Sequence, residues 1–163
     1  MSSLFTEQPL VLSVTVLGPA ASQGSKTPIR NKQGQAVGSR ESSKKVKPWR
    51  QDVKALMVEE LERTSLSYDG DHSFTLWDEA VFVALRIYVL RPKGHFNSKG
   101  QLKPTAPQYP PSGLDVDKVQ RAVGDAMKGI WVRDDARISK WDSERLYDER
   151  ERTVITAQLR RTL

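Results

Sequence analysis

Residues 80–90, AVFVALRIYVL, carry the strongest strand pattern in the chain. Val81, Val83, Leu85, Ile87 and Val89 form one face. Phe82, Ala84, Tyr88 and Leu90 make the other face apolar too, apart from Arg86. Apolar residues on both faces predict a central strand covered on both sides. Residues 10–17, LVLSVTVL, alternate with Leu10, Leu12, Val14 and Val16 on one side, and Gly18-Pro19 ends the run. Pro48 suits the first turn of a helix. Trp49, Val53, Leu56, Met57 and Leu61 mark its buried stripe, with Glu59, Glu60 and Glu62 outside, and the pattern fades near Thr64 into the turn-rich SLSYDGDHS. A second helical rhythm runs through Val116, Val119, Ala122, Val123, Ala126 and Met127 and stops at Gly129.

Residues 136–141 and 153–159 read as two further strands, paired as a hairpin. The charged DSERLYDERER between them reads as a solvated turn, with Glu144, Asp148, Glu149 and Glu151 set among arginines. These elements predict one α+β domain over residues 1–163, a small mixed sheet with two principal helices. No internal repeat, coiled-coil heptad, phosphate-cradling glycine loop or Ser-His-Asp arrangement is visible, so no nucleotide cofactor is expected.

Two stretches fall outside the periodic pattern. Residues 18–47 are irregular and basic, with Lys26, Arg30, Lys32, Arg40, Lys44, Lys45 and Lys47. A segment this long has two readings, a solvated linker or an arm that neutralises phosphates. Residues 91–113 are rich in Pro and Gly and mix Lys93, Lys99 and Lys103 with His95, Phe96 and Tyr109. Such a loop either packs locally or grips phosphates and stacks on unpaired bases.

Composition sharpens the choice of partner. Of 163 residues, 26 are Lys or Arg and 20 are Asp or Glu, a formal charge of +6 that points toward a polyanionic partner. There is no cysteine, which excludes disulfides and thiolate zinc sites. His72 and His95 are isolated in sequence and read as surface residues. No apolar run reaches membrane-spanning length and no signal-peptide pattern opens the chain, so a cytoplasmic protein with no membrane partner is expected.

The chemistry concentrates in residues 114–135, LDVDKVQRAVGDAMKGIWVRDD. Asp115 and Asp117 open the helix, and Asp134 and Asp135 follow the turn. Each has a plain reading. An Asp at a helix start caps free N–H groups, Asp134-Asp135 is a solvated turn, and Asp125 pairs with Arg121 or Lys128 at helical spacing. The alternative is that the turn returns the chain past the helix start, so that Asp135 meets Asp115 and Asp117. Three carboxylates gathered without basic partners would require a cation.

DVDKVQRAVGDAM followed by GIWVRDDARI resembles the signature of the RusA family of Holliday-junction resolvases, including its phage-borne members. The shared elements are Asp115, Asp117, Arg121, Ala122 with Asp125 and Ala126, Trp131, and Asp134 with Asp135. The family's founding pattern has Lys at the position of Arg121, and Pro or Arg where this chain has Leu114. The resemblance implies a homodimeric, Mg²⁺-dependent endonuclease (Mn²⁺ as a substitute) that nicks branched DNA in pairs. It implies Asp115, Asp117 and Asp135 as metal-binding catalytic carboxylates and Arg121 at the catalytic basic position, and Asp134 is expected to support the metal from outside or to serve as an alternate ligand. Lys26, Arg30, Lys32, Lys44, Lys45, Lys47, Lys93 and Lys118 are then the expected DNA contacts. A catalytically inactive branched-DNA-binding protein of the same fold is the alternative, prompted by the Arg at 121, which holds its proton too firmly to donate it.

Overall fold

The computed structural model describes residues 11–24, 26–41, 44–65 and 77–160. The lead-in before residue 11 and most of the turn-rich stretch after Thr64 lie outside the described residues. Four strands form the main sheet: β1 (Val11–Leu17), β4 (Val81–Leu90), β5 (Ile138–Asp148) and β6 (Arg152–Leu159). Their spatial order is β1-β6-β4-β5. β6 runs antiparallel to both β1 and β4, whereas β5 lies parallel to β4. The mixed sheet and two helices, α1 (Val46–Ser65) and α2 (Val116–Met127), agree with the α+β expectation.

Alternation decides which face is covered. Leu12, Val14 and Val16 of β1, Val81, Val83, Leu85 and Ile87 of β4, and Ile155 and Ala157 of β6 are all buried. Trp49, Val53 and Met57 of α1 and Val119, Val123 and Met127 of α2 join the same core. Both helices therefore sit on one face of the sheet. The other face of β4 is only half-buried at Phe82, Ala84, Arg86 and Tyr88, which corrects the expectation of a strand covered on both sides. Cationic side chains lie over its rings. The Arg152 guanidinium stands 3.9 Å from the Tyr88 ring centre, and the Lys140 amine 5.5 Å from that of Phe82.

The expected hairpin of residues 136–141 with 153–159 is also corrected. β5 continues through the charged stretch to Asp148 and pairs with β4, while β6 inserts between β1 and β4. The reason is burial. Thr153, Ile155 and Ala157 are fully or nearly fully buried and take an interior position, and the more polar β5 takes the edge. Along β5, register with β4 puts Trp141, Ser143, Arg145 and Tyr147 on the helix side and Asp142, Glu144 and Leu146 on the other. The run of charges is thus a two-faced strand, whose period is easily lost among polar residues.

The basic stretch holds a separate two-stranded sheet, β2 (Lys26–Arg30) and β3 (Ala36–Glu41), in place of an irregular arm. Its tip, NKQGQ, closes on Asn31, whose Oδ1 accepts the N–H groups of Gln33 and Gln35. The tip NSKGQ repeats this at Asn97, which accepts from Lys99 and Gln101. Gly34 and Gly100 supply the positive φ that both turns need, 82° and 76°. This short repeat is invisible at the scale of whole elements.

β1 is an edge strand, and Glu60 of α1 covers part of that edge. Its Oε1 accepts the Ser13 N–H at 3.2 Å while Arg63 grips both carboxylate oxygens at 2.8 Å. The Arg63 contact, reinforced by the Ser13 N–H and outweighing burial, holds the Glu60 carboxyl below its ordinary value. A depressed folded-state value contributes stability above the unfolded carboxylate range and loses it as pH falls through the folded value. Glu60→Gln should therefore lower stability by about 1–2 kcal/mol near neutral pH in urea unfolding, with the difference from wild type closing below about pH 4. An equal gap at acid pH would show that the ionised carboxylate contributes nothing.

Candidate active site

Helix α2 carries two distinct sides. Val119, Ala122, Val123, Ala126 and Met127 are fully buried. Asp117, Arg121 and Asp125 recur one turn apart on the side left to solvent or to the cavity. Asp115 takes the N-cap position, yet its side chain makes no cap hydrogen bond. Its carboxylate instead receives the Lys118 amine at 2.6 Å. That contact, with a smaller contribution from Arg145, holds Asp115 below the usual carboxylate range, and Lys118 is raised in return.

The turn after α2 is built on one carbonyl. Met127 O accepts from Ile130, Trp131 and Val132 at 3.0, 2.9 and 3.2 Å. Gly129, at φ 77°, allows the reversal, and its N–H reaches Val132 O at 2.8 Å. Trp131 is fully buried and its indole N–H donates to Met57 O of α1 at 3.0 Å. Trp77 then pairs with the outgoing chain through Trp131 O and the Arg133 N–H, each at 3.0 Å. So fixed, the chain delivers Asp134 beside Lys128, 2.8 Å away. Asp134 also caps the single 3-10 turn of residues 135–137 through the Ala136 N–H. Lys128, that N–H and the neighbouring Asp135 together pull Asp134 down to about 2.

Asp135 lands over the C-terminal half of α2 and not at its start. A Cβ at Gly124 would stand 3.7 Å from the Asp135 Cβ, 3.8 Å from Ile138 Cδ1 and 4.0 Å from Trp141 Cζ2. Gly124 lies about 10 Å along the helix from Asp117. Between them opens a cavity of about 830 Å³, bordered by Asp117, Arg121, Asp125, Asp135, Gln23 and Trp141 among others. Asp117 and Asp135 therefore share one cavity. Asp115 does not border it, and Asp134 is engaged with Lys128.

The expectation of carboxylates lacking basic partners is corrected in detail. Asp115 pairs with Lys118, Asp117 with Arg121 at 3.5 Å, and Asp134 with Lys128. Asp125 pairs with neither Arg121 nor Lys128. Its Oδ2 accepts from Arg50 of α1 at 3.0 Å and from Gln23 at 3.2 Å. Among the described residues no three carboxylates or imidazoles stand close enough together to hold an ion. The donor chemistry still suits a hard divalent cation, because the acidic groups facing the cavity offer only oxygen. Without such an ion, like-charged carboxylates are drawn to the nearest base.

Residues 19–158 match the family of endodeoxyribonuclease RusA. That span takes in both helices, the cavity and, but for the last residue of β6, all of the main sheet after its first strand. The chain belongs to the RusA family. It is accordingly an endodeoxyribonuclease of the class that resolves Holliday junctions. No curated protein matches it. Among the described residues no helix is long and apolar enough to cross a membrane.

Sequence reasoning missed Gln23, Arg50, Trp141 and Arg145 in this RusA-type site. Gln23 lies in a stretch read only for its charges, and Arg50 on a helix read only for its core stripe. Trp141 ends the strand expected over residues 136–141, and Arg145 lies on the same face of β5 within the charged stretch expected to be a turn. The remaining ambiguity over residues 91–113 is resolved in part toward local packing. Arg91 stacks 4.1 Å over Tyr147, and His95 meets the same ring edge-on at 5.6 Å. Lys93, Lys99, Phe96 and Tyr109 remain exposed.

The fit at Gly124 yields a graded test. An alanine methyl there makes ordinary contacts, so Gly124→Ala should raise stability by about 0.5–1 kcal/mol through helix propensity and keep junction cleavage. Gly124→Leu should displace Asp135 and lower the cleavage rate while the fold survives. Thermal unfolding and a nicking assay separate the two, and wild-type cleavage by Gly124→Leu would mean that Asp135 tolerates displacement.

Proposed function

We propose that this RusA-family enzyme resolves four-way DNA junctions by paired nicking as a homodimer, with Mg²⁺ bound at Asp117 and Asp135 and completed by Asp115. The observation that carries the reading is the shared cavity: Asp117 and Asp135, from opposite ends of the motif, face it together with Arg121. Mn²⁺ would serve as a substitute, having the same preference for oxygen donors. When bound, the ion supplies positive charge for activating water and for stabilising the leaving oxygen.

The residues of the chain supply the rest. Asp117 and Asp135 hold their carboxylates toward the cavity from two independently fixed elements, the helix and the turn after it. Asp115 would exchange Lys118 for the ion, a rotation open to it because the pair lies at the surface. Arg121 is 70% exposed at its side chain and its pair with Asp117 lies at the surface, so its fork can turn to the scissile phosphate and remains charged throughout. Asp134, held by Lys128 and the Ala136 N–H, fixes the backbone beside Asp135.

Phosphate contacts would flank this centre. Arg30 and Lys32 lie exposed on the β2–β3 hairpin, with Lys26 opening its first strand, and Lys44, Lys45 and Lys47 lie exposed around the start of α1. Lys93 on the proline-rich loop and Lys118 beside Asp115 extend the basic surface. Such contacts fix register on the backbone and carry no base identity. A two-fold dimer would present one cavity to each of two opposed strands of a junction.

Asp117→Asn removes one carboxylate that is already solvent-facing, so folding should be unaffected. It should lower Mg²⁺-dependent nicking of a synthetic four-way junction by about 100-fold or more, with junction affinity held or improved because a charge opposing phosphate is gone. Wild-type nicking by this variant would remove Asp117 from the metal site.

A further inference from the structure

The segment leading into α2 is chemically unbalanced. Pro104, Pro107, Pro110 and Pro111 offer carbonyl acceptors and no N–H donors. Two arginines supply what is missing. Arg91 Nη1 donates to Pro107 O at 2.7 Å. Arg145 of β5 donates through Nη1 to Leu114 O at 3.0 Å and through Nη2 to Pro110 O at 3.3 Å.

The second contact meets the chain immediately before Asp115. Leu114 is the last residue ahead of the N-cap, and Asp115 O accepts the Val119 N–H that begins the helical ladder. Between the two gripped carbonyls lies Gly113, at φ +123°, where a Cβ would come within 3.3 Å of Arg145 Nη1. The glycine therefore serves two ends: it adopts a backbone conformation that other residues rarely take, and it leaves room for the guanidinium. A planar fork reaches two carbonyls at once, which an ammonium group cannot do.

We infer that Arg145 is a positioning residue for cleavage, fixing the acidic start of α2 from the neighbouring strand through the Pro110 and Leu114 carbonyls. This rests on the reading that Asp115 and Asp117 act in the reaction. Arg145 is half-buried and its guanidinium is committed to backbone acceptors, which separates it from the exposed cations that meet phosphate. Small displacements of reacting groups are costly to rate and nearly silent in binding.

The test uses the full-length protein as Arg145→Met, Arg145→Lys, Gly113→Ala and the Arg145→Met/Gly113→Ala double variant, with Asp117→Asn as a control. Single-turnover nicking with Mg²⁺ and junction affinity without divalent ions are both measured. Arg145→Met should nick about 10- to 100-fold more slowly with affinity within about twofold of wild type, and Arg145→Lys should recover part of the rate. Gly113→Ala should also be slow, and the double variant no slower than the slower single one, because both changes break the same contact.

Wild-type nicking by Arg145→Met would overturn the inference. So would a loss of affinity equal to the loss of rate with a shallower salt dependence, which would make Arg145 a phosphate contact. Multiplying losses in the double variant would likewise count against it. If Arg145→Met loses its thermal unfolding transition, Arg145→Lys and Gly113→Ala decide, and wild-type rates in both overturn the inference. If Asp117→Asn nicks normally, the cleavage reading itself fails. If that control is silent while Arg145→Met is normal, only the positioning role fails.

Discussion

Burial of the Trp131 indole is the contact on which the geometry of the site depends. The ring is fully buried, and its N–H would lose water without compensation if it did not reach Met57 O on the facing helix. Leaving that donor unpaired would cost about 1–3 kcal/mol, so the indole has one favourable orientation. Its backbone belongs to the turn that closes on Met127 O, and its own carbonyl receives the Trp77 N–H. A single side chain thus couples α1, the end of α2 and the strand-like passage toward Asp134 and Asp135. Packing thus brings the acidic pair into place, and Lys128 and the Ala136 N–H then hold Asp134 there.

Electrostatics then determines how the carboxylates rest. Asp115, Asp117 and Asp134 each lie against a basic neighbour, and Asp125 is shared by Arg50 and Gln23. This answers the repulsion that would otherwise oppose crowding acids around one helix. It also gives the site two levels of commitment. Arg50 and Gln23 tie Asp125 to α1 and to the segment preceding β2, a structural connection. The Lys118 and Arg121 pairs lie at the surface, where such pairs contribute little and exchange readily. A carboxylate held so weakly is free to turn toward a stronger cation.

Much of this was legible in the sequence. The core stripes of both helices and the faces of β1 and β4 follow directly from period, because buried apolar residues leave a regular trace. The motif also named the residues that border the cavity on both sides, Asp117 and Asp135. What the pattern concealed is polar. The second half of β5 shows no apolar alternation because its inward face carries Ser143 and Arg145, whose burial is compensated by a side-chain partner and by backbone carbonyls. The β2–β3 hairpin leaves no apolar trace, because none of its described side chains joins the core, and its turn is specified by polar contacts of Asn31 and Arg30 around Gly34. The return of Asp135 to the C-terminal half of α2, and not to the helix start, brings it against Gly124, and a glycine within a helical pattern does not announce what lies against it.

The central claim is that Asp117 and Asp135, held by separate elements around one cavity, bind the same divalent ion. Anomalous diffraction from crystals soaked in Mn²⁺ tests it most directly. The account predicts one strong peak in the cavity within coordinating distance of both carboxylates, with Asp115 turned away from Lys118 to join them. A peak touching only one of the two, or an ion bound elsewhere with Asp115 still on Lys118, would contradict it.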